Sequence, residues 1–528
     1  MVQTFWSLIP PLLAIGMVLL TRRVLLSLGV GIVASALFVK SFHLTDSFSL
    51  IWSAFRSVFW EEGSVNTWNV FILLFVLMLG ILTAFVGMMG GTQAFGEWMV
   101  KRVKTRAGAH LMTMFLGVIV FIDDYFNSLT VGQIAKPVTD KHRISRAKLA
   151  YIVDSTSAPV CVVAPISSWG AYIIGLIGFV LTTHAVTDIT AFMAFIYMIP
   201  MNFYVWAALG VVLVISLRQV DFGSMKVHEE QALRTGEVKR AVDQQTKSKH
   251  MLPTSSFGRI SDLIVPIAVL FIATIGFIYW TGYTEVDGNG TLMDIFGEAD
   301  VAKSLLFGGI TSLVVTFILF FKQSKQSHFK MREFFSGVKE GAKSMIPAFL
   351  ILIFAWTIAD LIGELGTGEY LAAVVKQSNI SFSLIPFVIF IIAGFIAFST
   401  GTSWGSFALL LPIAGSIAAA TDISLLLPLL SAVLAGAVFG DHCSPISDTT
   451  ILSSTGTECD HIDHVTTQLP YALVSAGIAG LGYLALGLTS SVLTGLIVVL
   501  VSLIILFFSL RKKNNSHFEQ EKEDTIAN

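Results

Sequence analysis

The sequence predicts an all-α polytopic membrane protein: about 11 transmembrane helices plus two re-entrant hairpins, arranged as inverted-topology repeats with broken helices. Three observations predict it. The 528 residues are 54% hydrophobic and only 13% charged, with a mean hydropathy of +0.78, whereas soluble domains average about 25% charged residues. Apolar runs of about 20 residues, enough to cross a bilayer, recur along the chain. Finally, Lys and Arg gather in a few clusters whose spacing says which connections share a side of the membrane.

Taken in order, the spans lie near 5–20, 24–40, 69–90, 149–182, 190–217, 260–282, 301–321, 344–366, 424–455, 466–488 and 490–510. Arg22-Arg23 follow the first apolar run instead of preceding it, so that run reads as a span entering from outside and not as a cleaved signal. The runs 110–135 and 383–415 read as hairpins that enter and leave on one side. Basic clusters at 22–23, 101–106, 136–148, 218–259, 322–343 and 511–513 hold 28 of the 33 Lys and Arg. All of them face the cytoplasm only if 110–135 turns back, and the flanks of 383–415 carry only Lys376, so both its ends can sit outside. This gives a cell-membrane protein with its N-terminus outside and its C-terminus cytoplasmic.

The resulting organisation is a first half over 1–217, with a broken helix at 149–182. A linker over 218–259 follows, then a second half over 260–510 with a broken helix at 424–455, and a cytoplasmic tail over 511–528. Trp52, Trp60 and Trp68 suit a loop at headgroup level, and 283–300 is acidic with no Lys or Arg, as an outer loop should be. The linker is polar and mixed in charge and reads as flexible. Three cysteines make no disulfide framework. No phosphate-binding loop, nucleic-acid motif or nucleophile elbow is present. No cofactor, nucleic-acid partner or enzymatic activity is expected.

The halves echo each other. Asp154-Ser-Thr-Ser-Ala-Pro159 is followed after seven residues by Ser167-Ser168-Trp169-Gly170, and Asp441-His-Cys-Ser-Pro445 after seven by Ser453-Ser454-Thr455-Gly456. A hairpin precedes each break. The first tip, Phe121 to Thr130, carries Asp123, Asp124, Asn127 and Ser128; the second, Phe398 to Ser406, carries Ser399, Thr400, Thr402 and Ser403, with Gly401 for the turn. The first hairpin enters from inside and the second from outside, the inverted arrangement of many secondary transporters, whose sites lie where broken helices meet.

The chemistry concentrates there. Charges at membrane depth are costly and mark ion or substrate paths. Asp441 and Asp448 offer hard anionic oxygens for Na+, and Ser444, Ser447, Thr449 and Thr450 offer neutral ones. Asp154 with Thr156 and Ser157 mirrors them. Asp123 and Asp124 are adjacent and point apart, one toward the ion and one toward a structural partner or proton, in an order the sequence leaves open. Asp360 is a candidate proton carrier, with Glu364 nearer the outer headgroups. His442 adjoins Asp441 and reads equally as a pH sensor or a structural histidine. His110 reads as an interface residue, and the loop Glu458, Asp460, His461, Asp463, His464 as a solvated turn.

These residues resemble the NhaC family of Na+/H+ antiporters. Gly440-Asp-His-Cys-Ser-Pro-Ile-Ser-Asp-Thr-Thr450 is similar to that family's most recognisable stretch, and Phe121-Ile-Asp-Asp-Tyr-Phe-Asn127 to its first-half motif; the likeness spans about 5–510. His442-Cys443 stand where other branches carry a Lys-Met type pair. The resemblance implies Na+ and H+ as the transported ions and a homodimer. Desolvated carboxylates that bind either ion competitively suffice for exchange. The alternative is Na+-coupled transport of a small organic acid or amino acid, with helix N-termini at the breaks holding the substrate carboxylate.

Overall fold

The computed structural model describes residues 2–510 except 22, 62, 237, 239–251, 287–290, 292–294, 296–297, 328, 368–369, 371–380 and 446. Arg22, Lys376, parts of the linker and of the acidic loop, and the tail 511–528 lie outside the described residues. In the first half the helices are α1 (Ile9–Thr21), α2 (Val24–Val39), α3 (Leu44–Ser57), α4 (Thr67–Met88), α5 (Gly91–Arg102), α6 (Arg106–Ile119) and α7 (Asp124–Lys141). They continue with α8 (Arg146–Thr156), α9 (Ala158–Cys161), α10 (Ser168–Thr183), α11 (Ala191–Met198), α12 (Phe203–Arg218) and α13 (Gly223–Thr235). The second half contains α14 (Ser261–Glu285), α15 (Val301–Ser327), α16 (Met331–Ser344), α17 (Ile346–Glu364), α18 (Ile385–Thr400) and α19 (Ser403–Thr421). It ends with α20 (Leu426–Cys443), α21 (Asp448–Thr457), α22 (His461–Thr489) and α23 (Val492–Ser509).

Ten helical stretches among the described residues are long and apolar enough to cross a membrane, two of them α18 and α19; α2 and α10 are shorter apolar helices. The chain is a multi-pass membrane protein. Strand is confined, among the described residues, to a two-residue pair in the loop that carries Trp60.

Contacts along the helices show that the chain turns back on itself in both segments. Arg106 at the start of α6 and Ser145 before α8 share Glu229, while Gly117 near the end of α6 meets Thr156 at the end of α8. The two helices therefore run parallel, and α7 alone carries the chain back. Likewise Gly436, Gly440 and Ser444 of α20 meet Phe390, Gly394 and Phe398 of α18 in register, so α19 is the returning arm. The turns are tighter than expected: 120–123 in the first, and Gly401-Thr402 in the second, with Gly401 left-handed at φ +69°. Asp124 to Thr130 thus belong to α7 and not to the tip.

The hairpins open to opposite ends, as an inverted repeat requires. The first opens toward α13, and the second toward the end where His184 approaches Gly415 and Ser416. The returning arms then cross into the other half: α7 packs on α21 and α19 on α10. A Cβ on Gly132 would sit 2.7 Å from the Gly456 backbone, so the two halves meet there backbone to backbone.

One expectation changes. The first part of the supposed flexible linker is the helix α13, docked on α8 and α22. Its buried Glu229 accepts from Arg106 and from the Ser145 N–H at 2.7 Å. Just before it, Asp221 pairs with the fully buried Lys148. A polar helix can be held this way because its charges neutralise those at the hairpin's open end.

Candidate functional site

The two breaks meet in the middle of the molecule. Between α8 and α10 the chain passes through Ser157 and Pro159 to Ser167; between α20 and α21 it passes through Ser444 and Pro445 to Ser447. Serines cap the resumed helices, Ser167 accepting from the Gly170 N–H at 2.8 Å and Ser447 from the Thr450 N–H at 3.4 Å. Each hairpin is tied to its own broken helix by a Ser–Asp hydrogen bond with the partners exchanged. Ser168 donates to Asp123 at 2.9 Å, and Ser403 donates to Asp441 at 2.7 Å.

The adjacent pair Asp123 and Asp124 divides as its backbone dictates. Asp123 is the extended N-cap of α7, accepting the Phe126 N–H at 3.0 Å through one oxygen and Ser168 through the other. Asp124 is the first helical residue and turns inward. Its Oδ2 is buried and completes no hydrogen bond, and neither does the Trp169 Nε1 that faces it. One turn on, Asn127 donates to the carbonyls of Gly117, Val120 and Thr156, which pins its amide and leaves Oδ1 buried without a donor. Asp124 and Asn127 are i, i+3 neighbours on one helical face, and Asp441 of the other half acts on Asp124 electrostatically. Buried acceptors are ordinarily satisfied, which makes this pair a candidate cation site.

Asp441 is itself buried and well supplied. Ser447 donates to it at 2.5 Å, and the Ser403 backbone N–H adds to that residue's hydroxyl. Thr449 stands 2.8 Å from Ser447. Asp448 points elsewhere in this conformation: it is exposed and accepts from Tyr125 at 3.0 Å. Of the second tip, Ser399 and Thr400 spend their hydroxyls on carbonyls of their own hairpin, and Thr402 is half-buried. Ser444 donates to Phe398.

Asp154 lies beyond this cluster, among donors from the other half. Thr450 and Ser453 of α21 reach it at 3.3 Å and Gln468 of α22 at 2.6 Å, with His464 Nε2 at 3.3 Å. His464 is therefore fully buried, not part of a solvated turn as the sequence suggests. The spacing His464, Gln468 along a continuing helix was the available signal for one inward face. His442 is held by Tyr204 at 2.7 Å and Ser155 at 3.2 Å. His110 is buried against Gln219. Thr156 bonds its own helix, and Ser157 and Ser128 bond each other at 2.9 Å.

Asp360 stands apart from the other aspartates. With Glu61, Glu364, Trp68 and His184 it lines a cavity of about 1030 Å³ at the end opposite α13. No Lys or Arg lines that cavity among the described residues. Between it and the candidate ion cluster, the Tyr172 ring packs tilted against Trp404, centroids 4.4 Å apart, and its hydroxyl donates to the Trp404 carbonyl, with Trp169 and Phe407 alongside.

Two inverted repeats, broken helices and buried acceptors where they cross define a secondary transporter, not an enzyme. Residues 160–488 match the Na+/H+ antiporter family, and the chain belongs to that family. It is similar to an uncharacterized protein of Haemophilus influenzae, 44% identical over 97% of this chain and 96% of that one. A malate-2H+/Na+-lactate antiporter of Bacillus subtilis is 29% identical over 29% of this chain and 32% of its own length, so only about a third of that relative is matched. Among solved structures, the YdaH transporter of Alcanivorax borkumensis shares the fold with a TM-score of 0.52 and 12% identity, over 80% of this chain and 86% of that one.

Proposed function

We propose that the protein exchanges Na+ for H+ across the cell membrane, with its N-terminus outside, its C-terminus cytoplasmic and a homodimeric assembly. One observation supports the ion assignment: Asp124 Oδ2 and Asn127 Oδ1, on one face of α7, are buried acceptors that complete no hydrogen bond, with only Trp169 Nε1 facing Asp124 and the Asp441 charge acting on it. A dehydrated Na+ supplies what both lack, while Ser403 and Ser447 hold the Asp441 carboxylate by hydrogen bonds and Thr449 backs Ser447. Protons and Na+ compete for such a site, since each neutralises a desolvated carboxylate. The ion leaves or enters when the repeats shift relative to one another.

The name of the Bacillus relative raises an organic-acid cargo. The lining of the large cavity argues against one here, because Glu61, Asp360 and Glu364 repel a carboxylate and gather cations. Everted vesicles test the proposal. Added Na+ should dissipate an imposed ΔpH without ATP and without lactate or malate. Na+-dependent flux that requires an added carboxylic acid would replace this reading with the coupled one.

A further inference from the structure

Asp154 is the most fully enclosed carboxylate that the cation site does not use. It belongs to the first half, yet its donors Thr450, Ser453 and Gln468, and the His464 ring 3.3 Å away, all belong to the second. His464 is buried, and neither of its ring nitrogens completes a hydrogen bond, although Nε2 stands 3.3 Å from Asp154. One turn before it on α22, the half-exposed His461 reaches the Pro445 carbonyl at 2.6 Å, at the α13 end of the molecule. His461 and His464 share a helical face, which makes a stepped path from the surface to Asp154.

A chain of hydroxyls continues inward. Ser453 Oγ lies 3.3 Å from Asp154 and 3.2 Å from Ser128; Ser128 donates to Ser157 at 2.9 Å, and Ser157 to the Asp124 carbonyl at 2.8 Å. A serine has one hydroxyl hydrogen, so Ser453 can serve Asp154 or Ser128 but not both. With Asp154 ionised the hydrogen turns to the carboxylate. With Asp154 protonated the carboxyl becomes the donor, and the Ser453 hydrogen turns to Ser128.

We infer that the exchanged proton is carried by Asp154, delivered through His464, and sensed at Asp124 through the Ser453–Ser128–Ser157 relay. The inference rests on the Na+/H+ reading above. Its sign is that of an antiporter. A proton on Asp154 removes a negative charge near the cation site and turns the positive end of the Ser453 dipole toward it, and both changes weaken Na+ at Asp124. No electron or group transfer is involved; the proton passes from the imidazolium to the carboxylate and leaves the same way. The other titratable groups acting on the pair are Asp441, His442 and Cys443 from α20 and Tyr204 from α12. His442 is held at both ring nitrogens by Tyr204 and Ser155, which leaves His464 as the imidazole with a free position.

The test separates cation movement from proton movement in proteoliposomes holding the full chain. Exchange of labelled Na+ for Na+ needs only the cation site, whereas Na+-driven H+ flux needs both. Asp154→Asn and His464→Gln should keep Na+/Na+ exchange and lose Na+-driven H+ flux. Ser453→Ala, which removes the relay hydroxyl but neither carboxylate, should reduce the pH dependence of the KM for Na+. In linkage terms the factor by which a proton changes Na+ affinity, about 5–150-fold in typical coupled systems, falls by the relay's share, while direct competition at the carboxylates remains. Wild-type H+ flux in both Asp154→Asn and His464→Gln would overturn the inference. So would loss of Na+/Na+ exchange in folded Asp154→Asn, which would place Asp154 among the cation ligands. If either variant fails to fold, an unchanged pH profile in Ser453→Ala overturns it. Absence of Na+-driven H+ flux in the wild type is a different result and removes the antiporter reading itself.

Discussion

Replacing each member of the adjacent pair by its amide separates a structural carboxylate from a cation-binding one. Asp123→Asn keeps an N-cap, because Asn caps as well as Asp, and keeps an acceptor for Ser168. It exchanges a charged hydrogen bond for a neutral one, a loss of about 1 kcal/mol. Asp124→Asn keeps shape and one carbonyl oxygen but removes the charge that a dehydrated Na+ needs. Taking one partner from a buried ion pair costs about 3–5 kcal/mol, which is a weakening of about 140- to 4000-fold. Proteoliposomes titrated with Na+ at several pH values should therefore give Asp123→Asn a KM within about tenfold of wild type. Asp124→Asn should give no saturable exchange at accessible Na+. In the wild type the apparent Na+ affinity should fall as pH drops, because protons occupy the carboxylates first. The reverse ranking, with Asp123→Asn inactive and Asp124→Asn near normal, would refute the division of roles read from the start of α7.

Three other outcomes are expected. In a background without native cysteines, Lys141→Cys and Ile423→Cys, both exposed, should label from opposite sides of intact cells; labelling from one side would break the inverted repeat. Lys148→Met strands the nearly buried Asp221 and should lower thermal stability by about 3–5 kcal/mol, with Lys148→Met/Asp221→Leu recovering most of it; an unchanged Tm in the single variant would show the pair to be solvated. Gly132→Ala sets a methyl 2.7 Å from the Gly456 backbone and should cost about 1–3 kcal/mol together with transport, measured by Tm and Na+ flux; wild-type values for both would mean that the halves do not need that approach.

Much of the architecture was readable because it follows from terms that add along the chain. Transfer of about 20 apolar residues into lipid places a span wherever they occur, and the Lys and Arg clusters place the loops. That was enough for an all-helical, multi-span membrane fold whose chain is interrupted at the two Pro-containing breaks. The Pro-containing breaks and the Ser caps are equally local. The helix α13 was missed because its own residues are polar. What docks it is Arg106, 123 residues away from Glu229 in sequence.

The site's internal division belongs to the tertiary structure. Asp123 and Asp124 are equivalent in sequence, and only the point at which α7 begins makes one a cap and the other a buried acceptor. Asp360 looked like a sixth member of the set, but its place near the end of α17 puts it in the cavity beside Glu61 and Glu364. His464 and Gln468 read as a loop and a helix start until α22 crosses α8. Thr450 and Asp154 are 296 residues apart, and no local pattern encodes that contact. The sequence by itself determined that the chain is a multi-pass, all-helical membrane protein, since hydrophobic transfer acts on each segment separately. The packing of the two repeats decided which carboxylate meets which donor, because a buried polar group is stable only against the partner that the crossing helices bring to it.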